Sequence, residues 1–550
     1  MVGELPLDST PPVGEGAMKA AVTAPRPEPA PSQLPRDDAA PPRLSLLEDP
    51  SQASDPGRLS DPTTASDLGL LQLVEEVASS HEEWDLHPLF LTRATSTATI
   101  RYRQAVFRDL EDGRVATALT SFCAAMSDCR ELLAQSQGGH HQPQQAAWFL
   151  ASATTYFGAV QDLAGGLQGL DIRSSGLRRC RSFLQELTGS DAFIEAAQAA
   201  AEVRAQLDQV EYVVEILGAR VTVRRFTGEA DYGAELQSTF ARFRSGASRS
   251  HLFQLRVAPQ LSGVEERILD LVARLCPQAF AALYAFQARH HNFTDPTVLE
   301  IDRQLHFYLA YRDWIQPLRQ LGLDFCYPEV EAGTTSERAV GAFDLSLAAQ
   351  LAKRGLSVVT NDFELVGDER LLIVSGPNQG GKTTFARSFG QLHHLAALGC
   401  PVPGRRATLR LCDELLTHFE RQERLEDLRG RLEDDLVRMA DIMERATAHS
   451  VVILNETFSS ASLEDGRRLG RAVIEGLVAR GVVGVYVTFI DELASIGPGT
   501  VSMVSQVDPQ DPAVRTFRLL RQPANGIVHA LVLAERHGLT YPQLRRSLRC

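Results

Sequence analysis

One glycine-rich segment has the residue types and spacing that suit phosphate chemistry. It matches the pattern G-x-x-x-x-G-K-[ST] in full, between a short apolar run and a helical stretch. Glycine lets the backbone turn tightly, so that N–H groups and the start of the next helix point at phosphate oxygens. Lys382 is expected to reach the terminal phosphates, and the Thr383 hydroxyl to ligate Mg²⁺. The predicted ATP-binding residues of this segment are Gly376, Pro377, Asn378, Gln379, Gly380, Gly381, Lys382, Thr383 and Thr384.

A second polar pair follows another apolar run. Residues 451–454 read VVIL and lead directly into Asn455 and Glu456. A carboxylate at the end of such a strand can polarise an attacking water, so Glu456 is the predicted general base. Asn455 can accept a hydrogen bond from a Mg²⁺-bound water but brings no negative charge. Because Mg²⁺ prefers charged oxygen ligands, the sequence predicts a weakened metal site.

Both motifs have simpler explanations. The loop would then be a glycine-rich turn without a ligand, and Glu456 an exposed acid at a strand end. The full match, with a strand before it and a helix after it, favours the phosphate-binding interpretation.

The elements that must position these residues begin at about residue 341. Short runs rich in β-branched residues alternate with helical stretches from there to residue 550. Near-continuous apolar runs of this length are typical of buried parallel strands. The predicted strands are 371–375, 451–454 and 482–487. The sequence therefore predicts a P-loop α/β domain with a mostly parallel sheet over residues 341–550.

The preceding part, residues 67–340, shows a different pattern. Apolar residues recur at three- and four-residue spacing, which predicts helices. The clearest stretches are 114–133, 189–207 and 264–289. One β-rich segment, 210–226, interrupts them and is predicted to form a hairpin. The predicted fold is thus mixed, with an α-helical region ahead of the α/β domain.

Composition adds limits to this division. Of 28 prolines, 13 lie in the first 62 positions, so residues 1–66 are predicted to be a disordered tail. Hydrophobic residues make up 44% and charged residues 23% of the chain, as in ordinary globular proteins. No apolar run approaches the roughly 20 residues of a membrane-spanning helix. The eight cysteines form no C-x-x-C pair, which favours a reducing, cytoplasmic location.

Charge limits the contacts with nucleic acid. The formal net charge is −14, so DNA binding needs a local basic patch. Arg220, Arg224 and Arg225 on the second strand of the hairpin are candidates for such a patch. The simpler interpretation is a solvated hairpin face.

Several segments between about residues 357 and 539 resemble the MutS family of DNA mismatch-repair ATPases. SVVTNDFEL resembles the family's segment before the first strand, which makes Asn361 a candidate nucleotide contact. The glycine-rich loop, its helix and the later GCPVP turn resemble the corresponding family motifs. LNETFSSASLEDGRRLG resembles the family block that follows the catalytic acid, so Ser462 and Asp465 are candidate contacts to a partner subunit.

The resemblance implies a homodimer that binds ATP and Mg²⁺ and couples ATP hydrolysis to clamping on mismatched or structured DNA. Three positions depart from the family pattern. Asn455 replaces an Asp, Phe489 replaces a His, and GRLEDDLVRM stands where a hydroxyl-rich signature loop is expected. That last segment has a second interpretation as an ordinary amphipathic helix.

Two functional hypotheses follow. The first is the DNA-associated ATPase, with no segment before about residue 69 expected to form a mismatch-reading domain. The alternative is a slow or inactive nucleotide-gated module that holds a protein partner through its helical region.

Overall fold

A computed structural model describes most of the chain. It covers residues 44–52, 54–81, 83–138, 141–217, 220–228, 263–333, 336–420, 430–508, 510–511, 514–524 and 541. Most of the predicted tail, residues 1–43, lies outside this described part.

The described residues form fifteen α-helices and sixteen strands. The helices are α1 (Pro62–Asp67), α2 (Leu70–Ala78), α3 (His87–Leu91), α4 (Thr97–Asp109), α5 (Gly113–Gly138), α6 (Gln142–Gly166), α7 (Ser175–Thr188), α8 (Asp191–Asp208), α9 (Gly263–Leu275), α10 (Pro277–Arg289), α11 (Pro296–Gln320), α12 (Leu345–Ala352), α13 (Lys382–Leu398), α14 (Arg431–Arg445) and α15 (Leu463–Arg480). The strands are β1 (Arg58–Leu59), β2 (Thr92–Arg93), β3 (Tyr212–Leu217), β4 (Arg220–Arg225), β5 (Phe325–Cys326), β6 (Glu329–Glu331), β7 (Glu337–Ala342), β8 (Asn361–Leu365), β9 (Leu371–Ser375), β10 (Val402–Pro403), β11 (Arg406–Arg410), β12 (Leu415–Phe419), β13 (Val451–Asn455), β14 (Val483–Val487), β15 (Thr500–Val507) and β16 (Arg515–Arg521).

The chain divides into two compact units. Unit 1 comprises residues 1–42, 118–169 and 181–299, and unit 2 comprises residues 43–117, 170–180 and 300–550. Each unit collects separate stretches of the chain, so the predicted domain limits at residues 66 and 340 stay a prediction.

Unit 1 is mainly helical in its described part. Its core includes an aromatic cluster in which Phe149, Tyr156 and Phe157 of α6 pack around Phe293. The predicted hairpin is present, with β3 and β4 paired antiparallel. The predicted helix over 264–289 is instead two helices, α9 and α10, because Pro277 occupies the first position of a new helix.

No single helix among the described residues is long and apolar enough to cross a membrane. The pair formed by α9 and α10 meets the length and composition criteria only when taken together, and it is bent by 103°.

Unit 2 contains a six-stranded sheet in the order β12-β13-β14-β9-β15-β16. All neighbours are parallel except β15 and β16, as the apolar runs predicted. One face is covered by α14 and α15, whose Met439, Ile474 and Leu477 pack against Leu454. On the other face, a Cβ added to Gly390 of α13 would lie 2.7 Å from Ile453 Cδ1, so glycine permits the close approach of helix and sheet.

The first described residues are buried and bonded to α11, which differs from the predicted disorder up to residue 66. Leu44 and Leu46 are buried. The Leu46 backbone is held from both sides, since its N–H donates to Gln304 Oε1 at 2.6 Å and its carbonyl accepts from Tyr308 Oη at 2.5 Å. Buried leucines with satisfied backbone groups offset the cost of ordering, which the proline-rich composition alone did not show.

A buried histidine in unit 2 makes stability depend on pH. Burial lowers the pKa of His394 from 6.5 to about 4, and the ring contacts Ser60 Oγ and Phe90 O at 3.3 Å and 2.8 Å. As the pH falls, His394 is therefore protonated at a higher pH in the unfolded chain than in the folded one. Its contribution to the free energy of unfolding is complete above about pH 6.5 and is lost as the pH falls from there to about 4. We expect a loss of about 3 kcal/mol over this window.

Denaturant unfolding at a series of pH values measures this effect. In His394→Gln the acid-induced loss should shrink by that amount. The matched control is His291→Gln, at an exposed position, which should leave it unchanged. Equal pH profiles for the wild type and His394→Gln would contradict the assignment.

Candidate functional site

The glycine-rich loop joins β9, near the centre of the six-stranded sheet, to α13. Its backbone needs glycine at two points, because φ is +120° at Gly376 and +88° at Gly381. A Cβ added to Gly376 would also lie 3.1 Å from the backbone of Ser505 on the neighbouring strand β15. Gly381 is the N-cap of α13, so the N-terminus of this helix opens at the loop.

Lys382 lies inside the loop and is 4% exposed. Its Nζ donates to the carbonyls of Gly376 and Pro377 at 3.0 Å and 3.2 Å, and to Asn378 Oδ1 at 3.5 Å. Burial lowers the pKa of Lys382, and the nearby Glu456 carboxylate opposes this shift. The loop therefore holds a buried, hydrogen-bonded cation where the sequence predicted a phosphate contact.

Thr383 and Asn455 meet at the same edge of the sheet. β9, β14 and β13 are parallel neighbours, so their carboxyl ends lie side by side. The Thr383 hydroxyl donates to Asn455 Oδ1 at 2.9 Å. Both side chains offer oxygen donors of the type that Mg²⁺ takes, but neither carries charge. The two oxygen atoms are therefore suitable ligands for Mg²⁺, but the site has no carboxylate at this position to bind the ion firmly.

Glu456 follows β13 and lines the same cavity as the loop. Its φ is +53°, and its N–H donates to Val487 O at 3.0 Å. In the described part of the chain, the non-glycine residues with positive φ are Gln379, Glu456, Phe458 and Phe517. Three of these four line the cavity. Backbone strain of this kind concentrates at functional sites, because the surrounding structure must enforce it.

The cavity itself has a volume of about 570 Å³. Its lining includes the loop from Gln379 to Thr384 together with Glu456. It also includes apolar side chains, among them Leu347, Leu351 and Val358. A cavity that combines a glycine-rich loop with apolar walls has room for a flat ring system attached to phosphates.

Asn361 lines this cavity, but its amide also binds the backbone of β16. Nδ2 donates to Phe517 O at 3.1 Å, and Oδ1 accepts from Leu519 N at 2.7 Å. Both ends of the amide therefore hold β16 in position. The prediction that Asn361 contacts a nucleotide stays a prediction.

The hairpin of β15 and β16 forms a wall of the site that the sequence did not predict. Ser505 Oγ donates to Gly380 O at 2.6 Å, and Arg515 Nε donates to Asn378 O at 3.2 Å. A Cβ added to Gly381 would lie 3.6 Å from Phe517 Cβ. These residues lie more than a hundred positions after the loop in the chain, and no local motif identifies them.

Ser462 and Asp465 lie at the N-terminus of α15. Ser462 is the N-cap, and its hydroxyl accepts from Asp465 N at 3.2 Å and donates to Asp465 Oδ2 at 2.7 Å. This is a self-contained helix cap, so a contact with a partner subunit remains a prediction. Phe489, which stands where the family pattern has a His, follows β14 and is half exposed. The GRLEDDLVRM segment lies in α14 from Arg431 onward, as its second interpretation required.

The three hairpin arginines belong to unit 1, whereas the residues described above belong to unit 2. Arg224 pairs with Glu215 across the hairpin at 2.7 Å, and Arg225 Nη2 donates to Leu275 O at 2.9 Å. The side chains of Arg224 and Arg225 are thus engaged within unit 1. Their contact with DNA, like that of Arg220, stays a prediction.

A model of one known family, MutS domain V, matches residues 372–516. This range runs from β9 to the start of β16 and contains the loop, Asn455, Glu456, Ser462 and Asp465. These residues form a domain of the MutS family.

Proteins named MutS or MutS2 align with parts of the chain. Endonuclease MutS2 of Thermus thermophilus is 30% identical over 190 residues, which are 34% of this chain and 26% of the relative. The DNA mismatch repair protein MutS of Shouchella clausii is 36% identical over 123 residues, covering 22% of this chain and 14% of the relative. MutS of Thermotoga neapolitana is 25% identical over 293 residues, which are 53% of this chain and 32% of the relative. The chain thus spans a third or less of the length of these relatives.

Proposed function

We propose that this MutS-family chain is a P-loop ATPase that associates with DNA. Residues 341–550 would form the ATP-binding and dimerisation domain, and residues 67–340 the helical core and lever. The observation that carries the proposal is that Lys382, Thr383 and Glu456 line one cavity with both polar and apolar walls, while Asn455 is hydrogen-bonded to Thr383. Such a cavity suits a purine nucleotide with its phosphates on the loop.

Each residue has a role in this proposal. The loop N–H groups and the N-terminus of α13 bind the phosphates, and Lys382 exchanges its bonds to the loop carbonyls for bonds to phosphate oxygens. Thr383 and, through water, Asn455 would hold Mg²⁺, which neutralises phosphate charge when bound. Glu456 orients the attacking water and accepts its proton. The missing carboxylate at Asn455 makes this a slow site.

Two features support a dimer that acts on DNA. Relatives of this chain are named as a mismatch repair protein and as an endonuclease, and both names describe work on DNA. The exposed cap at Ser462 and Asp465 begins α15, the helix that follows β13 and Glu456 in the chain. We propose that a second copy contacts bound ATP at this cap. Mismatched or structured DNA is the proposed ligand, and the hairpin arginines are its proposed contacts.

A second candidate is a nucleotide-gated module that holds a protein partner and hydrolyses ATP slowly or not at all. Three observations favour it. Asn455 brings no charge, Phe489 brings no imidazole, and the signature segment is helical. The net charge of −14 also opposes the binding of DNA, because both molecules are negatively charged.

Steady-state ATP turnover with and without DNA separates the two candidates. We expect Mg²⁺-dependent turnover that rises when branched or mismatched duplexes are added and rises less with linear duplex. Binding to these DNAs should weaken steeply as salt increases, because phosphate contacts release counterions. Turnover no higher than that of Glu456→Gln, together with no DNA binding at low salt, would leave the protein-partner candidate.

A further inference from the structure

The hairpin of β15 and β16 brings a second cation to the glycine-rich loop. The guanidinium of Arg515 lies against the loop through the 3.2 Å bond from Nε to Asn378 O. Two further contacts fix the position of the hairpin that carries it. Ser505 on β15 binds Gly380 O, and the backbone of β16 binds the Asn361 amide. The hairpin therefore holds Arg515 beside the loop.

The charges around the loop support an electrostatic role for this arginine. Asn378 joins this guanidinium to the Lys382 ammonium, because its carbonyl accepts from Arg515 Nε at 3.2 Å and its Oδ1 accepts from Lys382 Nζ at 3.5 Å. Two neighbouring cations repel each other, and a bound phosphate chain that contacts both relieves this repulsion. At the metal corner, Thr383 and Asn455 are both neutral. The site thus contains the cations Lys382 and Arg515 and the anion Glu456, but no charge at the metal corner.

We propose that Arg515 binds the phosphates of the nucleotide directly and in the same chain as the loop, so that ATP binding depends little on Mg²⁺. This inference rests on the proposed function. Arginine suits the task, because its fork of N–H donors matches phosphate oxygens and it stays charged at any physiological pH. Its bond to a neutral carbonyl is exchanged for a stronger, charge-assisted one.

Equilibrium binding of a fluorescent ATP analogue, in Mg²⁺ and in EDTA, tests the proposal. For the wild type, the two affinities should agree within about three-fold, since Arg515 and Lys382 supply the charge. Arg515→Gln should weaken binding about ten-fold or more in EDTA and less in Mg²⁺. The matched control, Arg518→Gln, changes an exposed arginine three residues further along β16 and should bind as the wild type does.

Asn455→Asp provides a second test that leaves Arg515 in place. Restoring the carboxylate should make binding tighter in Mg²⁺ and weaker in EDTA, so the ratio of the two affinities should rise. The thermal unfolding midpoint of each variant checks that it folds.

The outcomes distinguish the inference from the function on which it rests. If Arg515→Gln binds as the wild type does in both buffers while Lys382→Ala loses binding, the inference is wrong and the ATP site stands. Wild-type binding that disappears in EDTA would also overturn the inference. If Lys382→Ala binds ATP as the wild type does, the proposed function itself fails.

Discussion

Lys382→Ala is expected to abolish ATP binding, with a loss of affinity of at least about 100-fold. The ammonium is buried at the centre of the loop and bonded to three of its oxygens. Removing it takes away the central cation of the phosphate site. It also leaves loop carbonyls without a donor, so the loop loses the shape that directs its N–H groups.

Titration with a fluorescent ATP analogue measures this loss. Lys353→Ala is the matched control, because Lys353 lies in the same unit but is exposed and pairs with Glu76 at 3.1 Å. The control should bind as the wild type does. If Lys382→Ala kept the ATP affinity of the wild type, the loop would not be part of the nucleotide site.

Glu456→Gln is expected to lower the rate of ATP hydrolysis about 100-fold or more while ATP affinity stays close to that of the wild type. A positioned general base contributes roughly 10²–10⁴ to a rate. Glutamine keeps the size and hydrogen-bonding reach of the side chain but cannot accept the proton. The backbone strain at φ +53° is the same for both residues, so folding should be little affected.

Single-turnover hydrolysis with excess protein isolates the chemical step from product release. Glu464→Gln is a suitable control, because Glu464 lies nearby in sequence on α15, is exposed and pairs with Arg468. Its rate should equal that of the wild type. A Glu456→Gln rate equal to wild type would mean that another group activates water.

The parts of the site that could be predicted are those that a short stretch of sequence determines by itself. The loop pattern, the β-branched runs of β9, β13 and β14, and the Asn455-Glu456 pair each depend on residues next to one another in sequence. Parallel strands then bring their carboxyl ends together without further information. This is why Thr383 and Asn455, 72 positions apart, meet as the pattern indicated.

The parts that could not be predicted depend on contacts between distant segments. Nothing around Ser505, Arg515 or Phe517 marks them, because their place at the loop follows from the antiparallel pairing of β15 and β16. Asn361 carries the right residue type for a ligand contact, but the structure uses its amide to hold β16. Leu44 and Leu46 sit in a proline-rich composition, and only their packing partners reveal that they are buried.

The attachment of Asn361 to β16 has a practical consequence for fragments of this protein. The family match covers residues 372–516, so a fragment cut to those limits would begin after Asn361 and end before Phe517. It would keep the glycine-rich loop and Glu456, and it would lose β8 and most of β16, whose Asn361 and Phe517 line the cavity. The matched segment thus carries the loop, whereas other residues that line the cavity lie in the flanking sequence.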